Sequence, residues 1–428
     1  MLVDWDAWAV RHTWALAELD RITRAVRDHA QVRAYAEHIA AQGKDFSLRS
    51  TPQRQALLYT VLHCPVPPHR TPKGGISTDA DALAWILQHT RKGSAVATVL
   101  ALLLRWASVE QTRKMLEIQA KHIHGDGRLH PRWWAGAHSG RRRSAAPNLQ
   151  NIPPRKDPAD PQNLRSCLVA APGHVYVVSD YGQLEFRLLA CVANDDQMVG
   201  ACNDGDPHGR LSIRLTLPRR LAKTINFACL YGASWSRIQQ EVRTEAGEDW
   251  SEAKSRKVIQ DIYTMYDDLD RKIHAVHRQV KTLGYVDSVL GHRRLLPQGQ
   301  SSNDEKVRER ACREGWNHHG QSLGHALLER GLELLLKWID EYDLPWRICN
   351  DTHDGCVLEV PVAQQDLAAT VVQWLLEEQA PKILPAGFLK VALPVEVKVG
   401  PSFGALRPWV PVEEEHAVAA EAVGVAAS

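Results

Sequence analysis

Residues 174–187 read His174-Val-Tyr-Val-Val-Ser-Asp-Tyr-Gly-Gln-Leu-Glu-Phe-Arg187, and two opposed tendencies meet within them. The first part is β-branched and aromatic, which favours a strand, and it runs out at Asp180. From Gln183 to Val192 the pattern turns helical. An acid leaving the carboxyl end of an apolar strand points into a site, although Asp180 taken alone equally fits a helix N-cap. Arg347-Ile-Cys-Asn350 and Cys356-Val-Leu-Glu-Val360 flank 351–355, which predicts a hairpin with His353 and Asp354 at its tip. By itself that aspartate could merely satisfy its own turn. A third segment, Arg219-Arg-Leu-Ala-Lys-Thr-Ile-Asn-Phe-Ala-Cys-Leu-Tyr-Gly232, predicts a helix ended by Gly232. Arg219, Lys223 and Phe227 recur every fourth residue, so on a helix they form one stripe, two cations leading to a ring. Such a stripe suits a triphosphate at one end and a sugar or base at the other. An amphipathic helix with snorkelling cations is the plain alternative.

Outward from these segments the chain is mostly helical in pattern. Trp5 to about Ile39 reads as one or two amphipathic helices, and the Pro-rich stretch from Cys64 to Gly75 breaks them. Ser77 to Asp79 offers a cap for helix resuming toward Ile123. The segment 140–155 is basic and rich in Pro and Asn, and reads as a binding loop. Glu252 to Leu283 reads as one long helical stretch, Gly284 to Pro297 as a hairpin turning at Gly291, and Asn303 to Glu341 as further helix. The tail 412–428 is Ala, Val and Glu without aromatic anchors and is expected to be disordered.

Composition narrows the class. The 428 residues are 44% hydrophobic and carry a net charge of +2, so affinity for nucleic acid must come from local Arg and Lys clusters. The eight cysteines are scattered, without a Cys-x-x-Cys pair at zinc spacing, which is the usage of reduced thiols in a cytoplasm. The longest apolar runs, such as Ala95 to Leu104, are about half of the ~20 residues needed to span a bilayer, and the N-terminus is no signal peptide.

Taken together, the ordered motifs resemble those of the family A DNA polymerases, the bacterial DNA polymerase I type. Asp180-Tyr-Gly-Gln-Leu-Glu-Phe-Arg187 is similar to the family's first palm motif, Arg219 to Gly232 to its fingers helix, and Thr352-His-Asp354 to its second palm motif. Gly140-Arg141 with Pro147-Asn-Leu-Gln-Asn-Ile-Pro153, Gly284-Tyr-Val286 with Arg293-Arg-Leu-Leu-Pro297, and Arg313, Asn317 and Gln321 follow in order. Thr71-Pro-Lys-Gly74 with Ser77-Thr78 is similar to the thumb, so the resemblance covers residue 1 to about 405. It implies an α+β right-hand fold: thumb and connection in 1–139, palm in 140–205 and 284–411, fingers in 206–283.

The same resemblance implies template-directed addition of deoxynucleotides to a primer 3′-hydroxyl. Two Mg2+ ions, with Mn2+ as a substitute, would be held by Asp180, Asp354 and the Tyr181 backbone. Lys223 would serve catalysis and, with Arg219 and His208, the incoming triphosphate. Phe227 would pack on the sugar, Tyr231 beside the templating base, and Gln183 and Glu185 at the nucleotide, Glu185 excluding ribonucleotides. Arg141, Asn148, Gln150, Asn151, Arg187, Arg313, Asn317, Gln321 and His353 would meet primer-template DNA.

Two readings compete. A single-subunit RNA polymerase shares the palm chemistry, but Glu185 and Phe227 fit deoxyribose selection. A catalytically weak or inactive primer-template-binding protein derived from a polymerase is the other: Gly355, where the family usually has Glu after the motif aspartate, leaves room for it, but Asp180, Asp354, Arg219, Lys223 and Tyr231 together argue against it. The spacing from His208 to Arg219 is also shorter than in typical relatives, which implies compact fingers. Because the chain opens on the thumb-like segment, the expectation is a monomeric, phage or mobile-element type enzyme without proofreading or 5′-nuclease modules, working beside a separate helicase, primase or exonuclease.

Overall fold

The computed structural model describes residues 1–410 except 69, 72, 73, 136, 137, 139 and 353 and the side chain of Pro207. Its chain divides into two compact units.

The first unit takes residues 1–131, 151–169 and 402–405. Helix α1 (Trp5–Arg27) starts where Asp4 accepts the Ala7 N–H (2.9 Å), which satisfies one of the unpaired amides of a first turn. Its buried residues, Ala15, Leu19, Ile22 and Val26, fall at helical spacing. They pack on Val99, Leu100, Leu103 and Val109 of α5 (Ala95–Lys121). Helices α2 (Ala30–Ala41), α3 (Thr51–Gln55) and α4 (Ala80–Gln88) complete this core, α4 capped by Asp79 as its Ser-Thr-Asp start led one to expect. Strand β1 (Leu2–Val3) pairs antiparallel with β4 (Leu168–Val169).

The second unit holds the rest. Its heart is an antiparallel sheet in the order β10 (Val395–Ser402), β5 (His174–Tyr181), β9 (Gly355–Pro361), β8 (Arg347–Asp351), with β11 (Ala405–Pro408) beside β10. Strand β5 is the expected run, and it is paired along both edges. Helix α6 (Leu184–Ala193) follows it, then α7 (Asp196–Asn203), α8 (Pro207–Leu215), α9 (Arg219–Leu230) and α10 (Trp235–Ala246). The stretch 252–283 is two helices, not the single one its pattern suggests: α11 (Glu252–Met265) and α12 (Asp267–Leu283), parted at the buried Tyr266. The hairpin β6 (Tyr285–Asp287) and β7 (Arg293–Leu295) turns through Gly291 as expected.

After α13 (Gln298–Ser301), the 37-residue α14 (Glu305–Glu341) runs about 55 Å through the core. Gly320 and Gly324 let α6 lie close against it: a Cβ at either would stand 3.1 Å from Leu189 or Leu184. Helix α15 (Gln365–Trp374) packs on the sheet. Residues 140–155, expected as a loop, include part of a two-stranded ribbon, β2 (Arg132–Ala135) with β3 (Arg142–Ala145). The tail 412–428, Lys73 and His353 lie outside the described residues.

Candidate active site

Strand pairing brings the two sequence-distant acids together. Asp180 is exposed near the end of β5 and stands in register with Gly355, and the Tyr181 N–H donates to the Asp354 carbonyl (2.9 Å). Asp354 therefore immediately precedes β9, beside the strand end that carries Asp180. The Thr352 N–H donates to the Gly355 carbonyl (2.9 Å) and closes the turn behind it. On the other side of β5, Glu396 of β10 is directly opposite Asp180 and lies 3.3 Å from Lys398, a cation that relieves the repulsion of two facing carboxylates.

Two further expected residues reach this place. Glu185, on the first turn of α6, pairs with the Arg141 guanidinium, which also lies 3.3 Å from Asp354. Burial pushes the Glu185 carboxyl above its ordinary range, the Arg141 charge opposes that, and Asp354 adds to it. One cation thus offsets two acids in a confined space. The turn from β5 into α6 is clamped by Arg187: its guanidinium donates to the carbonyls of Gly182 (3.0 Å) and Ala392 (2.9 Å). Arg187 is 7% exposed and occupied by backbone, so it orients the turn and is not presented to DNA as its motif position suggested.

Helix α9 has the expected bounds. Lys223, Phe227 and Tyr231 line one open cleft of about 540 Å3 with Arg220 and Thr224, facing Arg237, Glu241 and Glu245 of α10. Arg219 stands apart from that cleft and forms a bidentate pair with Asp206 (2.8 and 2.8 Å), which holds the Asp206 carboxyl down to about 2. His208, expected at the triphosphate, is fully buried instead. Asn226 meets its Nδ1 (3.3 Å), and its ring lies 5.3 Å from that of Phe227. Burial, with Lys223 and Arg219 nearby, brings it down to about 4, so it is a neutral prop beneath Phe227 and no phosphate cation. The last turn of α9 is fastened by the Trp316 indole N–H to the Leu230 carbonyl (2.6 Å) and the Tyr263 hydroxyl to that of Cys229 (2.8 Å).

Arg313, Asn317 and Gln321 recur every fourth residue on α14 and are half-buried, with the Arg313 stem near Gly232. Asn148 accepts the Ser144 hydroxyl and the Gln150 N–H (both 3.1 Å), and Gln150 donates in turn to Asp351 at the end of β8. These amides brace β3 against the second acid's hairpin, while Asn151 is exposed. Gln183, at the mouth of α6, has a left-handed backbone (φ 56°). Asp206 and Glu396 were not legible as site residues; the Val-Glu-Val-Lys-Val alternation at 395–399 was the signal for β10.

The site has the donors that Mg2+ accepts. Such an ion takes one or two carboxylates and keeps its other positions for water and substrate phosphate, so two adjoining acids suffice. Among the described residues no three His, Cys, Asp or Glu side chains form a fuller cage.

Two acids at adjoining strand ends of an antiparallel sheet, with a cationic helix in the same unit, define a polymerase-type palm. The chain belongs to DNA polymerase family A, whose model matches residues 17–405. It is 29% identical over 396 residues to the thermostable DNA polymerase I of Thermus filiformis, covering 90% of this chain and 44% of that one. It is 29% identical over 369 residues to DNA polymerase I of Pseudomonas aeruginosa, covering 84% and 38%. The chain thus spans less than half the length of these curated relatives. Among solved structures, the POL domain of Pol1 from M. smegmatis, in complex with DNA primer-template and dNTP, superposes with a TM-score of 0.79 at 25% identity, covering 95% of this chain and 67% of that one. The α+β fold is that of the family's polymerase domain. No helix of the described residues is long and apolar enough to cross a membrane.

Proposed function

We propose that this chain is a DNA-directed DNA polymerase that extends a primer with deoxynucleotides. The observation that carries the reading is the meeting of Asp180 and Asp354 at the ends of β5 and β9. These acids and the Tyr181 backbone carbonyl would hold two Mg2+ ions, or Mn2+ in their place. Metal bound there would supply activation of the primer hydroxyl as a nucleophile and neutralisation of the leaving pyrophosphate.

The remaining work falls to the chain's own side chains. Lys223 draws the triphosphate to the α9 cleft, and Arg219 joins it by exchanging Asp206 for phosphate oxygens, a like-for-like trade of anions. Phe227, propped by His208, packs on the sugar, and Tyr231 flanks the templating base. Glu185 meets an added 2′-hydroxyl with a partly buried carboxylate and so excludes ribonucleotides. Arg141, leaving that carboxylate for the primer terminus, would act with Arg313, Asn317 and Gln321 on groove acceptors shared by all base pairs. Positioning and charge stabilisation supply most of such catalysis. The partners are accordingly primer-template DNA and dNTPs.

Primer extension with Mg2+ by the parent and by Asp354→Ala tests this. The variant should lose at least about a thousandfold in rate while binding primer-template as the parent does. A parent that binds DNA but extends it no better than the variant, with Mg2+ or Mn2+, would establish the non-catalytic binding protein instead.

A further inference from the structure

The residue after the second acid is glycine, and the structure gives a reason for it. A Cβ built on Gly355 would stand 1.8 Å from the Ser179 carbonyl oxygen, 2.7 Å from the Ser179 carbonyl carbon and 2.8 Å from the Asp180 Cα. All three atoms are backbone, so no rotamer change relieves the overlap; a real Cβ needs at least 3.0 Å, and β5 and β9 would have to part by more than 1 Å. The atoms it would displace belong to the segment that presents Asp180, and the residue next to it is Asp354. The parting would therefore act at the point where the Tyr181 N–H reaches the Asp354 carbonyl.

We infer that Gly355 is a positioning residue. Its missing side chain lets β9 begin hard against β5 and sets the spacing of the two acids. The position where relatives by motif carry a carboxylate is closed here to any side chain, so the site is built to work with two acids. Restoring Glu would cost the spacing while adding the charge. The inference rests on the polymerase reading above.

The experiment compares the parent, Gly355→Ala, Gly355→Glu and Asp354→Ala. A control, Gly331→Ala, is crowded by the flexible end of the Leu376 side chain (2.3 Å) and by no backbone atom. Two readouts are independent of one another: primer-extension kcat and KM, and Mn2+ affinity by electron paramagnetic resonance without nucleotide. Misplacing reacting groups by about 1 Å costs on the order of a hundredfold. Gly355→Ala should therefore lose about a hundredfold in kcat and about tenfold in Mn2+ affinity, with KM for dNTP and the Kd for primer-template within about threefold. Gly355→Glu should be no better than Gly355→Ala, and Gly331→Ala should change stability alone.

If Gly355→Ala keeps the parent's kcat and Mn2+ affinity, or Gly355→Glu exceeds the parent, the inference is overturned while the polymerase reading stands. A Gly355→Ala chain recovered only unfolded overturns it too, since the claim is of a local displacement. An inactive parent whose Mn2+ binding is indifferent to Asp354→Ala removes the polymerase reading and this inference with it.

Discussion

At the scale of single residues, charge and burial decide what each group can do. His208 and His319 are both buried and both pushed down to about 4, chiefly by loss of water. In the unfolded chain a histidine titrates near 6.5. Between those values the unfolded state binds protons that the folded state refuses, so stability falls as pH drops from about 6.5 toward 4 and is unaffected above 7. At pH 5 the loss should be roughly 1–2 kcal/mol per histidine. Urea unfolding at pH 7 and pH 5 checks it: His319→Gln should narrow the gap between the two midpoints relative to the parent. The ion pairs belong to the same scale and were not legible beforehand. Arg141 with Glu185 and Arg219 with Asp206 join residues 44 and 13 positions apart, and no spacing rule announces such pairs.

At the scale of elements, the sequence was legible where a local period carried the information. The alternation into Asp180 specified β5, and the stripe from Arg219 specified α9 to the residue. The break between α11 and α12 was not legible, because 252–283 contains neither Gly nor Pro. What starts α12 is remote: Asp195 accepts the Leu269 N–H (3.1 Å) while it also caps α7 through the Met198 N–H (2.9 Å). A cap supplied from 74 residues away leaves no mark on the helix it begins. The end of α9 is likewise fixed from outside. Trp316→Phe removes the donor to the Leu230 carbonyl and leaves a buried acceptor unpaired, so it should destabilise by about 1–3 kcal/mol. Guanidinium chloride unfolding measures this, and a change below about 0.5 kcal/mol would mean that the carbonyl finds another partner.

At the scale of the whole molecule, the two cores are closed to reagents and held without covalent links. All eight cysteines are free, and seven are buried, Cys349 being the partly exposed one. Burial raises the Cys229 thiol to about 12 and the Cys356 thiol to about 11, well away from the reactive thiolate range. An aromatic disulfide reagent at pH 8 should therefore label about one thiol quickly in the native protein and the others only after denaturation, as absorbance of the released thiolate would report. Fast labelling of several thiols would mean that the cores open readily. The scattered cysteines had suggested reduced thiols from sequence alone; which of them is accessible depends on the edge position of β8, which only the sheet order reveals.

Strand β5 carries the first acid, yet its flank on one side is β10, whose residues 395–400 pair with 176–181. During translation at about 5–20 residues per second, the stretch with Asp180 leaves the ribosome long before the strand that completes its seat. For those seconds the nascent polypeptide exposes an apolar strand with an open edge, a natural client for a holdase. A strand made about two hundred residues later is thus what renders the first acid's strand rigid, and biosynthesis withholds a finished centre until that strand has emerged.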